Sequence, residues 1–300
     1  MRIVVALGGN ALSKRGETLT ASGQRASIRV AAHSLAGLLE AGHEVVITHG
    51  NGPQVGYLAL QGGPFPLDVL GAETDGMIGY VLQQELDNAY APDAKYATLL
   101  TQIEVDPQDP AFQTPTKFIG PIYTKSEAAR LSADRGWTIG KDGAYFRRTV
   151  PSPRPKRILE LDVINLLLDQ KVIVICAGGG GIPVVQKPDS TMIGVEAVID
   201  KDHASGFLAR ALNADAFLML TDVEGVFENW GTPDQVVIRH ATPDELNQKS
   251  FPAGSMGPKV EAACDFAKTT AGFAAIGRLA DCLALIAGTT GTRISLEKAK

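Results

Sequence analysis

The chain has 300 residues, about two domains' worth by length, and its 45% hydrophobic and 20% charged side chains are a globular balance that argues against disorder. The formal net charge of -5 is spread along the sequence rather than gathered in a block, which argues against electrostatic binding of nucleic acid or a membrane surface. No stretch approaches the roughly 20 consecutive apolar residues of a membrane span.

Strand-like residues begin at once, at 3–7, which leaves no room for the charged leader and cleavage site of a secretory signal. Helical periodicity follows at 24–40, a strand at 45–48, and helices at 53–61 and 73–88. Between 104 and 155 this rhythm stops. Seven prolines there exclude long helices, apart from a periodic stretch at 126–134, and the segment reads as either an inserted lid or a peripheral excursion. The alternation then resumes: helix at 163–169, strand at 172–176, helix at 201–211, strand at 216–220, helix at 260–268, strand at 273–276. Strands apolar at every position, such as Val172-Ile173-Val174-Ile175-Cys176 and Phe217-Leu218-Met219-Leu220, suit burial on both faces. The pattern predicts an α/β fold with a mainly parallel sheet covered by helices on each side. Cys176, Cys264 and Cys282 are far apart among apolar neighbours, so they read as buried thiols of a cytoplasmic protein, not as disulfides or zinc ligands.

Three strands run directly into glycine, at Gly8-Gly9-Asn10, at His49-Gly50-Asn51-Gly52-Pro53 and at Gly178-Gly179-Gly180-Gly181. Ligands of open parallel sheets bind beyond the carboxyl ends of strands, where glycine lets backbone N–H groups approach an anion. These turns therefore read as an anion cradle, most plausibly for phosphates. Asn10 and Asn51 occupy matching places, either as side-chain donors to a small polar substrate or as turn residues. His49 either orients the cradle or is structural. The usual nucleotide fingerprints are missing: there is no G-x-x-x-x-G-K-[ST], and Gly50-Asn51-Gly52-Pro53-Gln54-Val55 fails the G-x-G-x-x-G pattern at its last position. H-E-x-x-H and G-x-S-x-G are absent too.

Charge near these turns suits phosphoryl transfer. Lys201, between Asp200 and Asp202, lies near a helix start, where it is either a solvated turn residue or an ammonium held by Asp202 toward an anion. Gly254-Ser255-Met256-Gly257-Pro258-Lys259 precedes another helix, so its backbone donors and Lys259 reach phosphate oxygens, or form only a cap. Thr221-Asp222-Val223-Glu224-Gly225-Val226-Phe227 follows a strand and offers polar and aromatic groups to a nucleotide, or is a plain turn. Phosphoryl transfer asks for alignment and charge neutralisation, with magnesium bridging the nucleotide phosphates; the pattern assigns that metal no protein ligands.

Taken in order and spacing, these segments together with Pro66-Leu67-Asp68, Gly76-Met77-Ile78-Gly79-Tyr80, Asp109-Pro110-Ala111-Phe112 and Pro115-Thr116-Lys117 resemble the carbamate kinases of the amino acid kinase superfamily over essentially the whole chain. The resemblance implies one amino acid kinase domain over residues 1–300, a three-layer α/β/α sandwich with a mainly parallel central sheet and a small protruding lid subdomain at 104–155. Residues 1–170 would be mainly the substrate lobe and 171–300 mainly the nucleotide lobe of a cytoplasmic homodimer. It implies reversible phosphoryl exchange between ATP with carbamate and ADP with carbamoyl phosphate, with Mg2+ accompanying the nucleotide and without nucleic acid or membrane partners. Matched to the family, Gly8, Gly9, Asn10, Gly50, Asn51 and Gly52 hold carbamate. Lys201 and Lys259 stabilise the transferring group, Asp202 organises them, and Lys117 is the lid lysine. Thr221, Asp222, Phe227, Met256, Gly257 and Lys259 meet the nucleotide. The family commonly has proline after the lid lysine, where this chain has Phe118. Another small carboxylate as acceptor, or a non-catalytic nucleotide binder, is the alternative, and Lys117 with Lys201, Asp202 and Lys259 argues for carbamate and for turnover.

Overall fold

The computed structural model describes residues 1–9, 20–252 and 254–297, so Asn10 lies outside the described residues. In chain order the strands of the first half are β1 (Arg2–Leu7), β2 (Glu44–His49), β3 (Lys95–Thr98), β4 (Gln102–Val105), β5 (Lys117–Tyr123), β6 (Ile139–Asp142), β7 (Tyr145–Val150) and β8 (Pro155–Ile158). Those of the second half are β9 (Val172–Ile175), β10 (Ile182–Gln186), β11 (Met192–Gly194), β12 (Ala216–Thr221), β13 (Phe227–Glu228), β14 (Val236–Val237), β15 (His240–Ala241), β16 (Phe273–Arg278) and β17 (Thr292–Ile294). The helices used below are α1 (Ala21–Glu40), α2 (Gly52–Gln61), α3 (Leu67–Ala89), α4 (Lys125–Arg135), α5 (Leu161–Asp169), α6 (Lys201–Ala211), α7 (Pro243–Asn247), α8 (Met256–Thr269) and α9 (Cys282–Ala287).

The central sheet has the order β15-β17-β16-β12-β1-β2-β9-β3, parallel from β16 through β3, with β17 antiparallel to β16. Side chains alternate across it. Val4, Ala6, Val46, Val174, Phe217 and Met219 face α5, α6 and α8, whereas Ile3, Val5, Leu7, Val45, Ile47 and Leu218 face α1, α3 and α9. Helix α1 illustrates the local cause: Thr20 caps it by accepting from the Gly23 N–H at 3.1 Å, and Ile28, Ala31, Ala32, Leu35, Leu38 and Leu39 form one buried stripe. The layers are those the sequence predicts.

Helix α3 begins at Leu67, six residues before the periodic stretch. Pro66 starts it and Asp68 supports its first turn, while Gly71 and Gly76 dilute the apolar pattern there. Strands β4 and β8 belong to a second sheet, β11-β10-β4-β8, in which Val105 pairs with Pro155, so the proline-rich segment leaves and returns side by side. Within it, β5, β7 and β6 form an antiparallel sheet carrying α4, whose Thr124–Glu127 capping box and left-handed Gly136 mark its ends. This sheet sits on α2 through a glycine-to-glycine contact, since a Cβ on Gly56 would overlap the backbone of Gly120. That contact sets where Lys117, at the start of β5, meets the rest of the molecule.

Candidate active site

The carboxyl ends of β1, β2 and β12 open onto a cavity of about 920 Å³, lined also by Lys117, Phe118 and Ile119 of β5 and by Phe227 to Trp230 at β13. Gly8, Gly9, Gly50, Asn51 and Gly52 line it too. The Gly8 N–H donates to the Leu220 carbonyl at 2.9 Å, and a side chain at Gly8 would strike that carbonyl, so β1 ends in glycine because β12 passes too close for anything larger. A Cβ on Gly50 would lie 3.2 Å from the Gly9 nitrogen and 3.4 Å from the Lys201 side chain, which places the two loops and that lysine at one spot. Gly52 and Pro53 open α2, so a helix N-terminus also points there.

The third glycine turn is built differently. Gly179 lines the cavity, but a Cβ on Gly178 would overlap the Asp75 carboxylate and the His49 ring, and one on Gly179 would overlap the Asn51 amide. Glycine here leaves room for side chains that reach in from behind the turn. Asn51 is itself buried and donates from Nδ2 to Thr74 Oγ1 at 2.9 Å.

At the centre stands a buried charge cluster. Asp200 caps α6, its Oδ1 accepting from the N–H of Asp202 at 2.9 Å, and so sets Lys201 and Asp202 in the first turn. Lys201 Nζ lies 2.6 Å from Asp202 Oδ1 and Lys259 Nζ, from the first turn of α8, 2.8 Å from Asp202 Oδ2. One carboxylate thus bridges two ammonium groups from different helices. Burial works against the Asp202 charge, but Lys201 and Lys259 overcome it and hold the carboxyl well below the usual range. Burial pushes Lys201 down to about 8, against the pull of Asp202 and with the help of the Lys259 charge. Lys259 is also penalised by burial, yet Asp202, with Asp200 and Asp222, carries it above its ordinary value. Lys117 reaches the same place from the lid and pairs with Asp200 Oδ2. Burial opposes the Asp200 charge as well, and the Lys117 ammonium brings its carboxyl below the ordinary value.

The cavity is also lined by Thr221, Asp222, Phe227, Met256 and Lys259, with Thr221 next to the Gly8 turn. Thr221 Oγ1 donates to Asp222 Oδ1 at 3.1 Å. The Phe227 ring packs against Trp230 with centroids 5.0 Å apart, and Trp230 also faces the cavity. Gly257 does not line it; its N–H donates to the Pro252 carbonyl at 2.9 Å, which closes the turn entering α8. Phe118, next to Lys117, pairs with Thr149 in the lid sheet and lies under the Arg147 guanidinium, 5.7 Å from the ring centroid. The cysteines are buried, and burial raises all three thiols, Cys264 to about 11 and Cys282 to about 12, so none is a poised nucleophile. Sequence reading missed Asp200 as partner of the lid lysine, seeing only a cap, and missed Thr74 and Asp75, which lie mid-helix with no motif to mark them. The proximity of Asp200 to Lys201 was the one available signal.

Among the described residues no group of three His, Cys, Asp or Glu side chains converges as a metal site, and no helix is long and apolar enough to cross a membrane. The amino acid kinase family model matches residues 1–272. The carbamate kinase of Rhizobium meliloti (strain 1021) is 54% identical, the match covering 98% of this chain and 93% of that one. That of Haemophilus influenzae is 53% identical over 98% and 97%. The crystal structure of carbamate kinase from Giardia lamblia bound to AMP-PNP superimposes with a TM-score of 0.88 at 40% identity, covering 98% of each chain. The chain belongs to the amino acid kinase family, among its carbamate kinases.

Proposed function

We infer that the cavity carries a phosphoryl group between a nucleotide and carbamate, as ATP plus carbamate exchanging with ADP plus carbamoyl phosphate, by charge neutralisation rather than by covalent or acid–base catalysis. The observation that carries this reading is Asp202 bridging Lys201 and Lys259 in the cavity that the glycine loops and Thr221, Asp222 and Phe227 also line. Acceptor and nucleotide are both anionic. At about 4 Å and an effective dielectric near 20, two unit charges repel by roughly 4 kcal/mol, so the reaction needs fixed cations at the point of transfer. Two ammonium groups held by one carboxylate supply them without reorganising as the charge on the transferring group spreads. In the forward direction a carbamate oxygen forms the new P–O bond as the bond to the ADP oxygen breaks, and the leaving pair stays on ADP. Carbamate attacks with an oxygen already ionised, so no general base is required.

The backbone donors of Gly8, Gly9, Gly50 and Gly52, with Asn51 and with Asn10 outside the described residues, would hold carbamate. Thr221, Asp222, Phe227 and Met256 would meet the nucleotide, and Lys117 would leave Asp200 for the phosphoryl oxygens as the lid settles. A chain with so few converging carboxylates fits magnesium that arrives on the nucleotide phosphates, an ion that takes one or two carboxylates and keeps several waters. Asp222, beside Thr221 on the cavity wall, would face it, and the ion would neutralise phosphate charge. The wider reading is one domain over 1–300 with 104–155 as its lid, residues 1–170 serving mainly the acceptor and 171–300 mainly the nucleotide, in a cytoplasmic homodimer.

The test is ATP formation by purified protein from ADP, magnesium and carbamoyl phosphate, with acetyl phosphate and other acyl phosphates in parallel. Preferential use of carbamoyl phosphate is expected. Folded protein that ignores it, or prefers another acyl phosphate, would overturn the substrate assignment.

A further inference from the structure

Behind the acceptor loop lies a buried polar cluster that the transfer step does not use. His49 and Asp75 are 0% and 1% exposed, and His49 Nε2 stands 3.2 Å from Asp75 Oδ1. The other ring nitrogen, Nδ1, lies 3.3 Å from the Gly50 carbonyl oxygen. Both ring nitrogens therefore face acceptors. At 3.2 Å the His49–Asp75 pair is close but not well directed: among the described residues neither His49 Nε2 nor either Asp75 oxygen has a well-directed hydrogen-bond partner, and a carboxyl group so buried is costly. One residue earlier on α3, Thr74 Oγ1 accepts from Asn51 Nδ2 at 2.9 Å and donates to the Gly71 carbonyl at 2.9 Å. Consecutive residues of α3 thus grip alternate residues of the loop, 49 and 51, and the absent side chains of Gly178 and Gly179 make the space.

We propose that Thr74, Asp75 and His49 are positioning residues for the acceptor substrate, fixing the Gly50 peptide and the Asn51 amide so that the loop meets the oxygens of carbamate or carbamoyl phosphate already in place. This rests on the acceptor-site reading above. Pre-set geometry of this kind is where small displacements are expensive, since a misplacement of about 1 Å can cost on the order of 100-fold. None of the three lines the cavity, and they bear on the loop that carries Gly50 and Asn51 rather than on Thr221, Asp222, Phe227 or Met256. Their loss therefore acts on one substrate and not on the other.

Steady-state ATP formation by Asp75→Asn, His49→Gln and Thr74→Val, with carbamoyl phosphate and ADP varied separately and melting temperatures recorded, tests this. The expected result is a KM for carbamoyl phosphate raised at least about tenfold, with the KM for ADP within about twofold of wild type. Asp75→Asn combined with His49→Gln should be little worse than the poorer single variant, because the two act as a unit. An unchanged KM for carbamoyl phosphate in a folded variant, or parallel rises for both substrates, would overturn the proposal. Should Asp75→Asn fail to fold, Thr74→Val decides, because it keeps the shape and removes the contact to Asn51 together only with a hydroxyl bond back to the Leu70 and Gly71 carbonyls of α3 itself. Wild-type protein that forms no ATP from carbamoyl phosphate would instead remove the acceptor reading on which the proposal rests.

Discussion

Lys201 and Lys259 on one hand and Lys117 on the other meet at the Asp200–Asp202 turn, and they are held in opposite ways. Lys201 and Lys259 grow from the first turns of α6 and α8, pack into the body of the molecule with side chains 11% and 12% exposed, and share the two oxygens of Asp202. Lys117 stands on a three-stranded outlying sheet, is 30% exposed, and pairs with Asp200 alone. On the reading proposed above, the pair in the body is fixed before any ligand arrives, while Lys117 would exchange its carboxylate partner for a phosphate. Preorganisation serves the bond-making step, and an exchangeable contact serves capture and release.

The largest effect that separates the two comes from truncation in the body. Lys201→Ala or Lys259→Ala should cut kcat by about two to three orders of magnitude, the usual loss for one electrostatic contact to a transition state, as read from initial rates of ATP formation. Lys117→Ala should lower kcat by only about an order of magnitude and also raise the KM for carbamoyl phosphate, because a lid residue acts on both; wild-type constants would return the proline-rich segment to a peripheral role. A pH profile sharpens the contrast further. On the proposed reading Lys201 works charged, and burial brings its pKa to about 8 despite Asp202, so kcat/KM should fall about tenfold per pH unit above that value as the ammonium is lost. Lys259, carried above its ordinary value, stays charged across that range. In Lys201→Arg the alkaline limb should disappear, and a limb that persists there belongs to another group. The smallest effect is expected from Asp200→Asn. Asparagine caps a helix as well as aspartate, so α6 should survive while the lid loses its charged partner. Limited proteolysis of the free protein should then cut within 110–150 several times faster, with melting little changed.

Much of this was legible in the sequence because its cause is local. The continuous apolar strands 172–176 and 216–220, the period of α1 and the prolines of 104–155 each report on neighbouring residues only. The glycine ends of β1 and β2 were legible as residues too, although what requires them is the close passage of β12 and of the neighbouring loop. What escaped depends on contacts across the chain. No pattern near Val172 tells that β9 inserts between β2 and β3, and β3 and β4, of four residues each, are too short and too mixed to stand out. The proline-rich segment concealed a sheet because Gly120 and Pro121 interrupt β5 where its register with β7 shifts. At the site, Lys201 and Asp202 are adjacent in sequence and were readable as a pair. Lys259 joins them from 57 residues away through Asp202, Lys117 meets Asp200 from 83 residues away, and Asp75 meets His49 only because α3 packs behind β2.

The most direct test of the preformed cluster is a rapid-quench measurement of the chemical step, with wild-type protein and Lys259→Ala both saturated with ADP, magnesium and carbamoyl phosphate. The expected result is a single-turnover rate of ATP formation about 100- to 1,000-fold slower in the variant, with ADP affinity nearly unchanged. An unchanged chemical step with weakened ADP binding would contradict it, and would make Lys259 a nucleotide anchor instead of a stabiliser of the transferring group.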